Sequence, residues 1–244
     1  MDVQQLIAFD KDLLLQLNGS NSLFWDGFMW VATSTIVWLP AGFVLLFIII
    51  KNNTWRKALF TIFMLAACVF VANIISGEIC KPYFSRLRPV NDPSIMHLVD
   101  TVNDFRPNSF SFISSHSANS FALAVFASLL IRKFWFSFSM IAWAVLHTFT
   151  RIYLGVHFPG DIIFGILDGV IVAFIFYFLY HFLYKRIFPE IHFSPDRYKG
   201  QGYFVSDLKV FYFVLFLTLI VLISLGISFS CSLSLSRFYL PVQN

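Results

Sequence analysis

Three stretches of the chain carry side chains suited to holding and transferring a tetrahedral anion. The first is Lys81-Pro-Tyr-Phe-Ser-Arg-Leu-Arg88-Pro89. Lys81 and Arg88 are seven residues apart, so on a helix they would share a face two turns long. A compact ammonium beside a planar guanidinium fork suits several oxygens of one phosphate. The second is Phe112-Ile113-Ser114-Ser115-His116-Ser117, just before an apolar run. Ser114 is placed as a helix N-cap, and a helix N-terminus offers unpaired N–H groups to an anion, with His116 in the first turn beside it. The third runs from Thr150-Arg151 through His157 and Pro159 to Asp161. Pro159 suits the first position of a helix. That leaves His157 in the turn before it and Asp161 in its first turn, where a carboxylate can hold one imidazole nitrogen and leave the other's lone pair free.

These stretches act together only if the chain's elements carry them to one place. Of 244 residues, 58% are hydrophobic and 12% charged, and the mean hydropathy is +0.76. Soluble domains carry about twice that charge, roughly 25%, so the composition argues for an integral membrane protein and against a soluble globule or a disordered chain. Three cysteines are too few for a disulfide scaffold. The 32 phenylalanines read as lipid-facing bulk. Crossing about 30 Å of hydrocarbon takes about 20 apolar residues. Such runs occur near 28–50, 58–76, 117–131, 134–150, 162–184 and 210–230. The expected fold is therefore all-α: a bundle of six transmembrane helices, with an N-terminal amphipathic helix lying at the interface. The expected organisation is an interfacial segment at 1–22, a membrane domain at 23–230 and an outer tail at 231–244.

Orientation follows from the short basic loops. Lys51, Arg56 and Lys57 follow span one, Arg132 and Lys133 separate spans three and four, and Lys185, Arg186, Arg197, Lys199 and Lys209 follow span five. All fall on one side, read as cytoplasmic. Loops 77–116 and 151–161, which hold the three stretches, then share the outer face. Their cations Lys81, Arg86, Arg88, Arg106 and Arg151 run against the positive-inside trend and ask for an anionic ligand.

The order Lys-x6-Arg-Pro, then Ser-His at a helix start, then Arg-x5-His-x3-Asp resembles the three-part signature of the type-2 phosphatidic acid phosphatase superfamily, within motif ranges 81–89, 113–117 and 150–161. Ile113 and Ser115 stand where that family usually has Pro and Gly, and Thr150 where it often has Ser. The resemblance covers roughly 58–184 and implies roles. His157 would attack phosphorus, Asp161 would orient it, and His116 would protonate the leaving oxygen and then activate water. Lys81, Arg88 and Arg151, with Ser114 and Ser115, would hold the phosphate oxygens. It implies a metal-independent hydrolase with no cofactor, acting at the outer face of a bacterial inner membrane. The partners expected are a membrane lipid phosphate and the bilayer, with no nucleic acid and no obligate protein partner. Undecaprenyl diphosphate comes first as substrate, then lipid A, then phosphatidylglycerophosphate or phosphatidate. A transporter or channel that merely binds anionic lipid is the rival of another class, and a vanadate haloperoxidase-like site a further one.

Several polar residues fall outside this set. Asp168, within span five, is expected to hydrogen-bond inside the bundle or to be protonated. Glu78 is expected to pair with Lys81, and His147 to pack in the core. His97, His181 and His192 show no constellation. A bridge between Cys80 and Cys231 is an open guess.

Overall fold

The computed structural model describes residues 2–189 and 203–239, the side chains of 232–239 excepted. His192, Arg197, Lys199 and the tail residues 240–244 lie outside the described residues. Every regular element among the described residues is helical: α1 Val3–Leu17, α2 Leu23–Ala32, α3 Thr35–Lys51, α4 Trp55–Asn73, α5 Lys81–Phe84, α6 Ser115–Ile131, α7 Phe134–Tyr153, α8 Pro159–Ile187 and α9 Val205–Tyr239.

Among the described residues, three stretches are long and apolar enough to cross a membrane: Trp55–Asn91, Pro159–Ile187 and Val205–Cys231. The expected continuous span at 28–50 is instead two helices, α2 and α3, bent by 47° at Thr33 and Ser34, which meet the same criterion only as a pair. The α6 run is a shorter apolar helix, because its first turns are spent on Ser115, His116, Ser117, Asn119 and Ser120. α7 spends its last turns on His147, Thr148, Thr150 and Arg151 in the same way.

A central role falls to α6, which packs against α4, α7 and α8. Its seam with α8 is made of small residues. A Cβ on Gly169 would lie 2.3 Å from the Ala118 carbonyl, and one on Gly165 2.6 Å from that of Ser114. Bare backbone there lets the helices close to contact distance, as small residues do in membrane bundles. The start of α6 is thereby pinned to the start of α8, and the Ser114 N–H donates to the Asp161 carbonyl at 3.1 Å.

The basic ends of the helices gather at the opposite pole. Lys51 pairs with Asp207 at 2.7 Å, and Lys57 lies over the Tyr184 ring. The three motif stretches lie at the other pole with α1. That helix opens with a reciprocal cap: the Gln5 N–H donates to Asp2, and the Asp2 N–H to the Gln5 side chain. Its Leu14 is wholly buried with Val90, Ile95, Val99, Ile152, Phe158 and Ile162, while Val3, Leu6 and Phe9 are exposed. The buried side of α1 thus packs on the loops that carry the motifs.

Candidate active site

Lys81 and Arg88 come together by a different route from helical periodicity. Beyond α4 the helix widens into a π-helical turn, Ile74–Cys80, and α5 ends at Phe84. Ser85 takes a left-handed conformation (φ 47°) and the chain leaves the helix. Residues 85–88 belong to no helix, and Arg88 is extended, so the expectation that one helix face carries both cations is corrected. The chain turns at Ser85, and both Lys81 and Arg88 line the same cavity. π-Helical turns of this kind concentrate at functional sites.

The buried Arg88 guanidinium is held on three sides. Its Nε donates to the Ser109 carbonyl at 2.8 Å, Nη2 to the Ser109 hydroxyl at 2.8 Å and Nη1 to the Val156 carbonyl at 2.9 Å. Nη1 also lies 3.2 Å from His157 Nε2. The turn that delivers His157 depends on Gly155, whose φ of +66° places it in the left-handed region, and whose Cβ position would fall 2.3 Å from Val99. Gly tolerates both demands and other residues do not.

Around His157 the hydrogen bonds fix a tautomer. The Ser111 hydroxyl donates to Asp161 Oδ2, which also accepts the Phe158 N–H at 2.9 Å. The Ser111 oxygen then accepts from His157 Nδ1, 3.3 Å away, with Asp161 Oδ2 at 3.5 Å behind it. The proton therefore sits on Nδ1, and the Nε2 lone pair accepts from Arg88. Burial lowers the His157 pKa to about 3, opposed by the Asp161 hydrogen bond. The ring is neutral near pH 7.

Arg151 is buried at the end of α7. Its Nη1 donates to Thr33 Oγ1 at 2.7 Å, while Nε has no partner among the described residues. The break between α2 and α3 supplies this acceptor. Ser114 caps α6, accepting from the Ser117 N–H. Ser115 is the first helical residue with an ordinary φ, so nothing in that turn requires a glycine.

Lys81, Arg88, Ser115, His116, Arg151 and His157 line one cavity of about 470 Å³, with Asn73, Gly77, Glu78, Ser109 and Asn119. Ser114 caps the helix outside this lining, and Asp161 stands behind His157. Lys81 and Glu78, expected to pair, both line the cavity without a direct ion pair between them. Lys81, Arg88 and Arg151 make the lining around His116 cationic. This combination can bind a phosphate and present an imidazole lone pair to phosphorus. Among the described residues, no group of three His, Cys, Asp or Glu side chains could hold a metal ion.

Three residues around the site, Ser109, Ser111 and Thr33, escaped the sequence reading. Ser109 and Ser111 lie in a serine-rich loop with no spacing signal. Thr33 was hidden in an apolar run. His147, expected to be a packing residue, is buried between two rings: it stacks on His116 at 5.4 Å and on Trp143 at 5.6 Å, and the Ser120 hydroxyl lies 2.9 Å from its Nδ1. A second cavity of about 370 Å³ begins there. It shares His116 and Asn119 with the first and runs down past Trp38, Leu45, Met140 and Phe211. Asp168 Oδ2 is buried without a hydrogen bond among the described residues, and Cys68 and Cys80 are not joined in a disulfide.

A family model described as the PAP2 superfamily matches residues 57–188. The chain is 39% identical over 168 residues to a protein named lipid A 4'-phosphatase from Bacteroides thetaiotaomicron, covering 68% of this chain and 75% of the relative. A protein of the same name from Porphyromonas gingivalis is 32% identical, covering 68% and 71%. An undecaprenyl-diphosphatase from Sulfolobus acidocaldarius is 31% identical, covering 68% and 76%. Among solved structures, LpxE of Aquifex aeolicus aligns with a TM-score of 0.51 at 26% identity, over 68% of this chain and 92% of its own. A PAP2-type phosphatidylglycerolphosphate phosphatase of Bacillus subtilis shares the fold, with a TM-score of 0.53 at 18% identity, over 78% and 90%.

Proposed function

The chain belongs to the PAP2 superfamily and is a lipid phosphatase, and from that premise we propose that it removes a phosphate from a lipid A-type headgroup through a phosphohistidine on His157. The observation that carries this reading is the single cavity in which three cations, two histidines and the first turn of α6 converge. Phosphoryl transfer spreads negative charge over the equatorial oxygens, so fixed cations and amides do most of the stabilising.

The reaction has two steps. Lys81, Arg88, Arg151 and the Ser115 region take the phosphate oxygens. Once Arg88 turns its Nη1–H to the phosphate, the Nε2 lone pair of His157 is released. Nε2 bonds to phosphorus as the phosphorus–oxygen bond to the lipid breaks, and His116 gives its proton to the departing oxygen. His116 then takes a proton from water, the hydroxide oxygen bonds to phosphorus, and the nitrogen–phosphorus bond breaks to release phosphate. Asp161 holds the Nδ1 proton in place through both steps.

The apolar cavity beside His116 supports a substrate with a hydrocarbon chain, which could lie there while its phosphate occupies the cationic pocket. Two of the relatives named above are lipid A 4'-phosphatases, which moves lipid A ahead of undecaprenyl diphosphate, the first expectation from sequence. The third relative keeps undecaprenyl diphosphate as the second reading. Purified protein given lipid A, undecaprenyl diphosphate, phosphatidylglycerophosphate and phosphatidate, with a metal chelator present, is expected to release phosphate fastest from lipid A. A faster release from undecaprenyl diphosphate would favour the second reading, and no release from any of the four would reject both.

The proposed topology counts α2 with α3 as one bent span, followed by α4, α6, α7, α8 and α9, within the division 1–22, 23–230 and 231–244. The site then faces the periplasm of a bacterial inner membrane, with α1 at the interface. His97 is exposed on the site-bearing pole. In a background without Cys80 and Cys231, His97→Cys is expected to react with an impermeant thiol reagent applied to intact spheroplasts. Reaction only after permeabilisation would turn the orientation over.

A further inference from the structure

Asp161 accepts more than the bonds that fix His157. Its Oδ1 takes Arg86 Nη1 at 2.7 Å. The second nitrogen of that guanidinium, Nη2, donates to Asp10 Oδ2 at 2.8 Å, and its plane lies 3.8 Å from the centre of the Phe158 ring. The other Asp10 oxygen accepts the Gly160 N–H at 2.7 Å, at the very start of α8. One chain of contacts therefore runs from the N-terminal helix to the imidazole: Asp10, Arg86, Asp161, His157.

We propose that Arg86 and Asp10 are positioning residues of the reaction, and that α1 is through them a working part of the active site. The proposal rests on the phosphatase reading above. The physical case begins with the carboxylate. Ser111, Phe158 N–H and the imidazole all approach Oδ2, so without a partner on Oδ1 the group is anchored at one oxygen and free to swivel. A guanidinium donor on Oδ1 fixes its plane, and a charge-assisted bond does so more firmly than a neutral one. Arg86 alone would also pull the carboxylate's charge away from the imidazole. Asp10 divides that cation between two carboxylates, leaving Asp161 its negative charge for the imidazole during phosphoryl transfer.

Asp10 is held where this requires. Lys11 pairs with Asp92 at 2.8 Å, Leu14 is fully buried against Phe158 and Ile162, and the Asn18 amide donates to the Tyr153 carbonyl at 2.7 Å. These contacts dock α1 on both loops that carry catalytic motifs. Neither Arg86 nor Asp10 lines the phosphate cavity, so their effect must pass through Asp161.

That route sets the test, a cycle of variants in the full-length protein. Arg86→Gln is expected to lower kcat about tenfold to hundredfold, the range typical when the outer partner of a tuned side chain is lost. KM should stay within about twofold, because phosphate binding is not touched. Asp10→Asn should lower kcat in the same sense by less, and Arg86→Lys should recover part of the loss. In an Asp161→Asn background, Arg86→Gln and Asp10→Asn should each cost no more than about twofold further, whereas a role in general folding would add its full loss there. Burst titration of the phosphoenzyme counts working sites and keeps poorly folded protein out of kcat. Should Arg86→Gln not accumulate in membranes, the isosteric Asp10→Asn runs the same cycle. Unchanged kcat, a loss carried by KM, or losses that add in the Asp161→Asn background would each overturn the proposal. Full activity in His157→Ala would instead reject the phosphatase reading beneath it.

Discussion

Replacing His157 with alanine is expected to lower phosphate release by about six orders of magnitude, the scale seen when a covalent nucleophile of a coupled constellation is lost. The variant should still accumulate in membranes and bind substrate. Arg88 keeps its bonds to Ser109 and Val156, and Arg151 keeps Thr33, so the cationic walls remain standing when the ring is removed. A purely anion-binding transporter would have no use for the lone pair facing that pocket and would lose little. Single-turnover assays with radiolabelled lipid phosphate offer the sharper readout. Label should appear on the wild-type protein, be stable to alkali and labile to acid, and be absent from His157→Ala. Label on the alanine variant would reassign the nucleophile.

The pH dependence carries a sign. Burial lowers the His157 pKa in the folded protein to about 3, below the usual 6.5 of an unfolded histidine. Between those values the unfolded chain binds the extra proton and the folded chain does not. The contribution of His157 to stability is therefore fully present above about pH 6.5 and is lost as pH falls toward 3. His157, the proposed nucleophile, stays largely unprotonated across that window. An acid limb in kcat/KM near neutrality must then come from another group or from the substrate phosphate.

How much of this could be read from residues alone divides along physical lines. Composition and runs of apolar residues fixed the all-helical membrane class, because the cost of unsatisfied backbone in hydrocarbon leaves few alternatives. The pocket membership of Lys81, Arg88, His116, Arg151 and His157 was also legible, since their types and order point to one chemistry. The route by which they meet was not. Helical periodicity made a seven-residue spacing look like one face, while the chain actually widens into a π-helical turn and leaves the helix at Ser85. An apolar run from 28 to 50 hid the break at Thr33 whose hydroxyl receives Arg151. α1 showed the alternation of a lipid-lying helix, which it carries on Val3, Leu6 and Phe9, and nothing in that alternation reveals that Asp10 faces Arg86. Long-range side-chain pairs such as Asp10–Arg86 and Ser111–Asp161 have no local signature, because the contact exists only after the helices pack.

Asp161→Asn should reduce kcat by about a thousandfold or more, near the loss that follows when an orienting carboxylate becomes an amide and the imidazole takes the wrong tautomer. The geometry leaves the amide no good placement. With its oxygen at the Oδ2 position it satisfies the Phe158 N–H and the Ser111 hydroxyl, but its NH₂ then points at Arg86 Nη1, donor against donor at 2.7 Å. Turned over, its NH₂ meets the Phe158 N–H and the Nδ1 side of His157. Nδ1 then becomes the acceptor, and the proton moves to Nε2, removing the lone pair proposed to attack phosphorus. Either arrangement leaves a buried donor unpaired, which costs roughly 1–3 kcal/mol, so the thermal midpoint should fall as well. Substrate binding should change little, because Asp161 stands behind His157 and the cavity is lined by other side chains. The measurement is kcat and KM on the preferred lipid phosphate, with thermal unfolding followed in parallel. A KM that rises while kcat holds would move Asp161 from orienting the nucleophile to holding the substrate, and with it the tautomer argument on which His157 depends.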